Sequence, residues 1–517
     1  MMDWTEGYYA DLDYTSGYYH ELGPAHLRFC CLLSGVHCEI PEAPTVLELG
    51  FGQGISINLH AAAGEGRFWG VDFNPAHVVH ARELAAASGA DLQLTDDSFA
   101  EFARRTDLPM FDVIVLHGVW SWVSDANRAV IIELARSRLR PGGVFYLSYN
   151  CQPGWAARSP VRHLLNLGHD HAARPADGPA AALDSALAFV EEVAAAEGRF
   201  FSDNRAAAAH AGKLAQNSRR YLGHEYLNTH WHVPYFSEVA ATLGEAKLTF
   251  VSSARLLDRV NDLNLQPASV ALLDRQKTPV LRESVRDYLV NQRFRPDIFI
   301  KGAVPMSATE QAERIGATAF VLACGLDEID FRVTGALGEA TLAEATYKPL
   351  VLGLEGDGYR PKSVAGLANL PDLGAMRRAD LVSALMVLAG MGVIRPARTP
   401  SPEVIARCES YNRLVLERAV SGRHLKHLAA PVTEGGILSN RSAQLLLRAW
   451  LAGARDADSM AQETWSIFRK TNERVTRDDQ ELAGEGENLA VLTEMAGRFL
   501  RQTVPLYRAL GILRAEN

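Results

Sequence analysis

The stretch Thr45-Val46-Leu47-Glu48-Leu49, running straight into Gly50-Phe51-Gly52-Gln53-Gly54, constrains this chain more than any other. A short apolar, strand-like run meets three glycines at alternate positions, and an apolar helical pattern, Ile55 to Ala63, follows at once. Strand, tight turn and helix in that order open a βαβ unit. Glycines there let the backbone turn sharply and come close to a ligand. A dinucleotide site asks for GxGxxG, with the pyrophosphate on the helix N-terminus. Here Ile55 stands where the last glycine would fall, which disfavours a nicotinamide cofactor.

The alternation continues. Arg67 to Asp72, Asp91 to Thr95, Phe111 to Leu116 and Val144 to Ser148 read as further strands, with helical stretches such as Pro75 to Ser88 and Asn127 to Leu139 between them. This predicts an α/β, Rossmann-like parallel sheet covered on both faces. From about 152 to 235 the pattern turns helical and Ala-rich, and Lys247 to Ser253 and Asp297 to Lys301 then return as strands. The helical stretch reads as an insertion, and the two late strands complete the first sheet. Residues 1–302 therefore form one expected domain. Residues 303–398 form a middle α+β domain, with a β pattern at Asp330 to Val333 and an apolar helix at Leu381 to Ala389 followed by a turn and strand, a winged-helix-like reading. Residues 399–517 form a mainly helical C-terminal domain with an acidic loop near Thr471 to Asn488.

A length of 517 residues agrees with about three domains. Lys plus Arg is 52 against 61 Asp plus Glu, a net charge of −9, which argues against a nucleic-acid-binding role because that needs concentrated positive charge. The six cysteines include no CxxC pair, and the histidines His210, His224, His230 and His232 match no zinc spacing, so no metal is expected. The N-terminus is acidic and aromatic without a basic, apolar leader, and no apolar run reaches the roughly 20 residues that span a bilayer. The expected setting is the cytoplasm, without membrane insertion.

Candidate ligand-binding acids follow the strands. Asp72 ends the second strand and is placed to accept from ribose hydroxyls, with Phe73 beside it to lie against a purine. Asp97 and Ser98 follow the third strand. The fourth is followed by His117-Gly118-Val119-Trp120-Ser121-Trp122 and the fifth by Tyr149-Asn150-Cys151-Gln152-Pro153-Gly154-Trp155, at the sheet edge where such folds bind ligands. Trp120, Trp122, Tyr149 and Trp155 are candidates to line an aromatic channel suited to a desolvated ammonium. Tyr14, Tyr18 and Tyr19 stand out in a tyrosine-rich N-terminal segment, and His224 with Glu225 is a candidate acid/base pair.

The GxGxG turn with Glu48 before it, Asp72, the acids after the third strand and the Leu139-Arg140-Pro141-Gly142-Gly143 turn together resemble class I S-adenosylmethionine-dependent methyltransferases. The resemblance implies that Glu48, Gly50, Gly52 and Gly54 hold the methionine end of the cofactor, that Asp97 takes the adenine amino group, and that Tyr19 and His117 belong to the cofactor site. No [DN]PP[YFW] motif follows the fourth strand, which counts against nucleobase methylation. More narrowly, the runs Tyr14 to Leu22, LHGVWSWV, SYNCQPGW, HEYLNTHW and Val285 to Leu289, with Pro431 to Ile437 and Gln444 to Leu446 further on, resemble bacterial methyltransferases with a methyltransferase regulatory region, including lysine methyltransferases that modify outer-membrane proteins. That implies methyl transfer to lysine side chains of a protein or peptide, an outer-membrane protein among the candidates, with Tyr18, His117 and Asn150 as catalytic candidates and Tyr14, Trp120, Trp122, Tyr149, Trp155, His224 and Glu225 toward the substrate. A small-molecule or peptide methyltransferase of a biosynthetic pathway, its two later domains serving a homodimer, is the alternative.

Overall fold

Apolar strand segments set between amphipathic helices collapse into a single seven-stranded sheet. The computed structural model describes residues 7–8, 17–171, 178–196, 198–422, 425–477 and 480–514. The sheet strands are β1 (Thr45–Leu49), β2 (Arg67–Val71), β3 (Leu92–Thr95), β4 (Phe111–Leu116), β5 (Leu139–Asn150), β6 (Leu248–Ser253) and β7 (Phe294–Lys301). Their order is β3-β2-β1-β4-β5-β7-β6. β1 pairs in parallel with β2 and β4, with Leu49 beside both Val71 and Leu116, while β7 runs antiparallel to both β5 and β6. The parallel strands are apolar on both faces, as buried strands must be: all six residues of β4 are buried. Because β1, β2 and β4 run the same way in register, Gly50, Asp72 and His117 leave the sheet at one edge.

The expected insertion is present as helices at Ser159–His171, Pro179–Ala195, Arg199–Asp203, Arg205–Ala211 and Arg219–Tyr226, with an apolar cluster of its own built on Trp155, Leu165, Leu187 and Tyr226. Beyond Lys301, β8 (Ala319–Leu322) lies between β9 (Lys362–Ser363) and β10 (Ile394–Ala397) in an antiparallel sheet. The helix Arg378–Gly390 precedes β10 across the expected turn. The β pattern near Asp330 is a hairpin, Arg332–Gly335 with Gly338–Thr341. The last third is helical apart from small hairpins, of which β11 (His427–Ala430) and β12 (Gly435–Leu438) matter below. Part of the acidic segment expected as a loop is regular: Thr476–Arg477 pairs with Gln480–Glu481, and a helix starts at Glu485.

The helix α1 (Ile55–Ala63), which leaves the glycine turn, is buried at all nine positions. The first sheet covers one side of it, and α2 (Pro402–Val420) with β11 and β12 covers the other. One apolar core therefore runs from Leu59 through Phe320 and Leu388 to Leu428 and Leu446. This explains why ISINLHAAA lacks a polar stripe. No helix among the described residues is long and apolar enough to cross a membrane.

Candidate active site

The glycine turn adopts a backbone that side chains resist. Gly50, Gly52 and Gly54 all have positive φ, at 72°, 56° and 73°. A Cβ on Gly54 would fall 2.4 Å from the Ala81 Cβ, and one on Gly50 2.6 Å from Val119 Cγ2. Asp72, at the end of β2, braces the turn from below: its Oδ2 accepts the Gly52 N–H at 2.8 Å and its Oδ1 accepts the Asn74 N–H at 3.0 Å, with His77 Nδ1 also 3.0 Å away. Oδ2, with one partner, keeps a further lone pair for a ligand.

Above this turn lies a cavity of about 1060 Å³, its mouth included. Its lining brings together all the expected cofactor residues: Tyr19, Glu48, Gly50, Gly52, Gly54, Asp72, Phe73, Asp97, Ser98 and His117. Glu48 is only 5% exposed, and burial, reinforced by the nearby Asp72 charge, pushes its carboxyl up to about 8. Asp97 lies 3.5 Å from Arg105. Ser98 also caps the helix Phe99–Ala103, its hydroxyl accepting the Glu101 N–H. Tyr8, Phe99 and Asn127 line the same cavity and were not among the expected site residues. The Tyr8 ring meets Phe73 edge-on at 5.6 Å. Only the general tyrosine density of the N-terminal segment signalled it. Carboxylates at Glu48, Asp72 and Asp97, a bare glycine floor and an aromatic wall suit a ligand with an ammonium, a ribose and a purine in succession.

Tyr19, His117, Gly118 and Trp122 line this cavity and also a second chamber. The Tyr19 and His117 rings lie 3.9 Å apart. His117 Nδ1 is 2.8 Å from the Tyr146 hydroxyl, and burial lowers the imidazole to about 4, so it is neutral at pH 7. Tyr149, Asn150, Trp155 and Glu225 form the chamber wall. Asn150 donates its amide to Glu225 Oε1 at 2.8 Å, and burial raises the Glu225 carboxyl to about 7 against the opposing pull of Asn150 and two arginines. The Tyr149 hydroxyl donates to Asp297 at 2.8 Å beneath the wall.

Some expected site residues are placed elsewhere. Tyr18 lines neither cavity; its hydroxyl accepts the Gly436 N–H at 2.7 Å, because neighbours in an extended segment point to opposite sides and Tyr19 takes the cofactor side. Trp120 is 2% exposed in the apolar core over β1, β4 and β5, leaving Trp122 to face the cavities. His224 and Glu225 do not form a pair: successive helical residues project about 100° apart. His224 stacks on Tyr8 at 5.6 Å, while Glu225 enters the chamber. Trp155 reaches the chamber and also packs on Trp231 and Tyr226. Tyr14 lies outside the described residues.

A methyltransferase domain model matches residues 46–143, and a predicted methyltransferase regulatory domain matches residues 218–301. The chain is 34% identical over 516 residues to the uncharacterized protein sll1526 of Synechocystis sp., covering 99% of this chain and 100% of that one. It is 26% identical over 296 residues to RP789 of Rickettsia prowazekii, 56% of this chain and 51% of that one. Among solved structures, PKMT2 from Rickettsia typhi shares the fold, with a TM-score of 0.67 at 16% identity, covering 96% of this chain and 99% of that one, and PKMT2 in complex with AdoHcy matches equally well. The chain belongs to the family of sll1526, and it is a class I methyltransferase with a regulatory domain whose cofactor is S-adenosylmethionine.

Proposed function

We propose that this protein methylates the ε-amine of lysine side chains in a protein substrate. One observation carries the reading: a chamber walled by Trp122, Tyr149 and Trp155 opens onto the cofactor cavity at Tyr19 and His117, and holds a buried carboxyl bridged to Asn150. The runs that resemble lysine methyltransferases, such as HEYLNTHW, and the shared fold with PKMT2 support it.

The cofactor, when bound, supplies an electrophilic methyl carbon on a sulfonium. The chain's residues do the rest. Glu48 would hold the cofactor ammonium, Asp72 the ribose hydroxyls, and Asp97 with Ser98 the adenine end. Methyl transfer to an amine needs a neutral nitrogen aligned with the methyl carbon. The aromatic wall strips water from the lysine and lowers its pKa. Glu225, with a carboxyl near 7, accepts the proton, and Asn150 orients that carboxylate and the amine. His117, neutral at pH 7, adds no positive charge where the two cavities meet.

The test is incubation with S-adenosylmethionine and outer-membrane proteins, followed by peptide mass spectrometry. The expected result is a gain of methyl mass on lysines. Release of S-adenosylhomocysteine with the methyl on another acceptor overturns the lysine reading and keeps the enzyme class.

A further inference from the structure

The outer wall of the chamber differs from its floor. Three guanidinium groups line it: Arg158, from the turn before the first inserted helix; Arg255, just after β6; and Arg293, just before β7. Arg158 lies over the Trp155 ring at 5.9 Å, beside the Tyr226 hydroxyl, and Arg255 over Phe294 at 5.0 Å. Among the described residues, no carboxylate lies within 4 Å of any of the three.

The neighbouring Arg295 shows the contrast. It lies two residues from Arg293 on β7 and is buried, and Asp297, Asp287 and Glu283 all bond it. Arg295 is thus neutralised by direct partners, whereas among the described residues no carboxylate pairs directly with the three chamber arginines. Burial holds Arg293 below the usual arginine range, and the Arg158 charge adds to it. A lysine entering alone would meet three like charges as well as the two chamber carboxyls, Glu21 and Glu225. An acceptor with an anion beside it would meet a complementary wall, and guanidinium groups bind carboxylates with paired, directional hydrogen bonds.

We propose that Arg158, Arg255 and Arg293 form a carboxylate-binding subsite that selects an acidic side chain flanking the acceptor lysine. The proposal rests on the lysine reading above and names the substrate class more narrowly: acidic, lysine-containing segments of a protein.

The test compares two peptides identical except for Glu or Gln beside a single lysine. Each is titrated by calorimetry into the protein loaded with S-adenosylhomocysteine. The Glu peptide should bind about tenfold more tightly, the scale of one charge-assisted hydrogen bond. The gap should shrink near 1 M salt, where charges are screened beyond about 3 Å. Arg158→Gln with Arg293→Gln should erase the gap and leave affinity for S-adenosylhomocysteine unchanged. Arg255→Glu, at an exposed position, should reverse the preference. Failure of the Glu peptide to bind better than the Gln peptide, including failure of both to bind, overturns the subsite, as does a gap that survives in the variants. A peptide with norleucine in place of lysine separates the two ideas. The acidic preference should persist there, whereas a Glu peptide that binds and is never methylated overturns the lysine reading alone.

Discussion

The Tyr18 hydroxyl and the Gly436 N–H, 418 positions apart, meet at 2.7 Å, joining β12 to the residue next to Tyr19. The contact is not isolated. The His60 ring on α1 lies between the carbonyls of Tyr19, 3.1 Å away, and Glu434, 3.2 Å away. Glu434 is buried and pairs with Arg28 and Arg398 at 2.8 Å each. The last third of the chain thus holds the segment that walls the cofactor cavity. Tyr18→Phe leaves the buried Gly436 amide without its acceptor and should cost about 1–3 kcal/mol of stability. Calorimetry should show weaker cofactor binding, while turnover at saturating cofactor stays near the wild-type rate. A collapse of turnover at saturation would instead return Tyr18 to the reaction centre.

Glu48 makes cofactor binding pH-dependent. Its carboxyl, near 8 in the free protein, is protonated at pH 7. A bound ammonium favours the ionised form, so binding releases a proton. Affinity should rise with pH, by at most about tenfold per unit, and level off above about 8. Glu48→Gln should flatten the profile, as read by calorimetry in buffers of different ionisation heat. The stability sign is opposite. A carboxyl raised on folding contributes stability below its ordinary value of 4.5, and that contribution fades as pH climbs through 8. The ligand-free protein should therefore lose part of its melting temperature over that range, and Glu48→Gln should lose less.

Much of the catalytic fold was legible because buried parallel strands must be apolar throughout. The sequence-read ranges Thr45 to Leu49 and Phe111 to Leu116 coincide with β1 and β4. The glycine turn was legible because its positive φ angles demand glycine. Side-chain direction was harder to read. In YY, WSW and HE, which residue faces the cavity depends on the phase of a short segment, and sequence does not fix that phase. Tyr19, Trp122 and Glu225 face inward, and Tyr18, Trp120 and His224 do not. Contacts of high sequence separation, such as Glu434 with Arg28 or Tyr8 with Phe73, left no local signal.

Asn150 and Glu225 make a separable prediction. The Asn150 amide is the first of the groups that hold Glu225 down against burial. Asn150→Ala should move the Glu225 carboxyl above about 7 and misplace the amine. Turnover should fall by roughly 10²-fold, the scale of a lost acid–base contact, with little change in affinity for S-adenosylhomocysteine. The acidic limb of the rate profile should shift to higher pH, and Glu225→Gln should abolish that limb. A drop in cofactor affinity larger than the drop in turnover would move Asn150 out of the substrate chamber.

Arg295 is the charge on which the chamber floor depends. It is buried with Asp297 at 2.8 Å and Glu283 at 3.0 Å, pairs with Asp287, and through Asp297 fixes the Tyr149 hydroxyl. Arg295→Leu strands three carboxylates and should cost about 3–5 kcal/mol in the unfolding of the sheet, because the acids left behind are unpaired. The loss must depend on pH in a definite direction. Burial already raises Asp287 to about 7 despite Arg295, so without that cation its carboxyl rises further. Its contribution to stability is present below its ordinary 3.8 and lost as pH climbs past the folded value. The variant should therefore lie closest to wild type near pH 5 and fall furthest behind near pH 8, as read by urea unfolding at both. A deficit independent of pH would mean that Arg295 acts by packing against Phe236, 4.2 Å from its guanidinium carbon, and not by pairing with the acids.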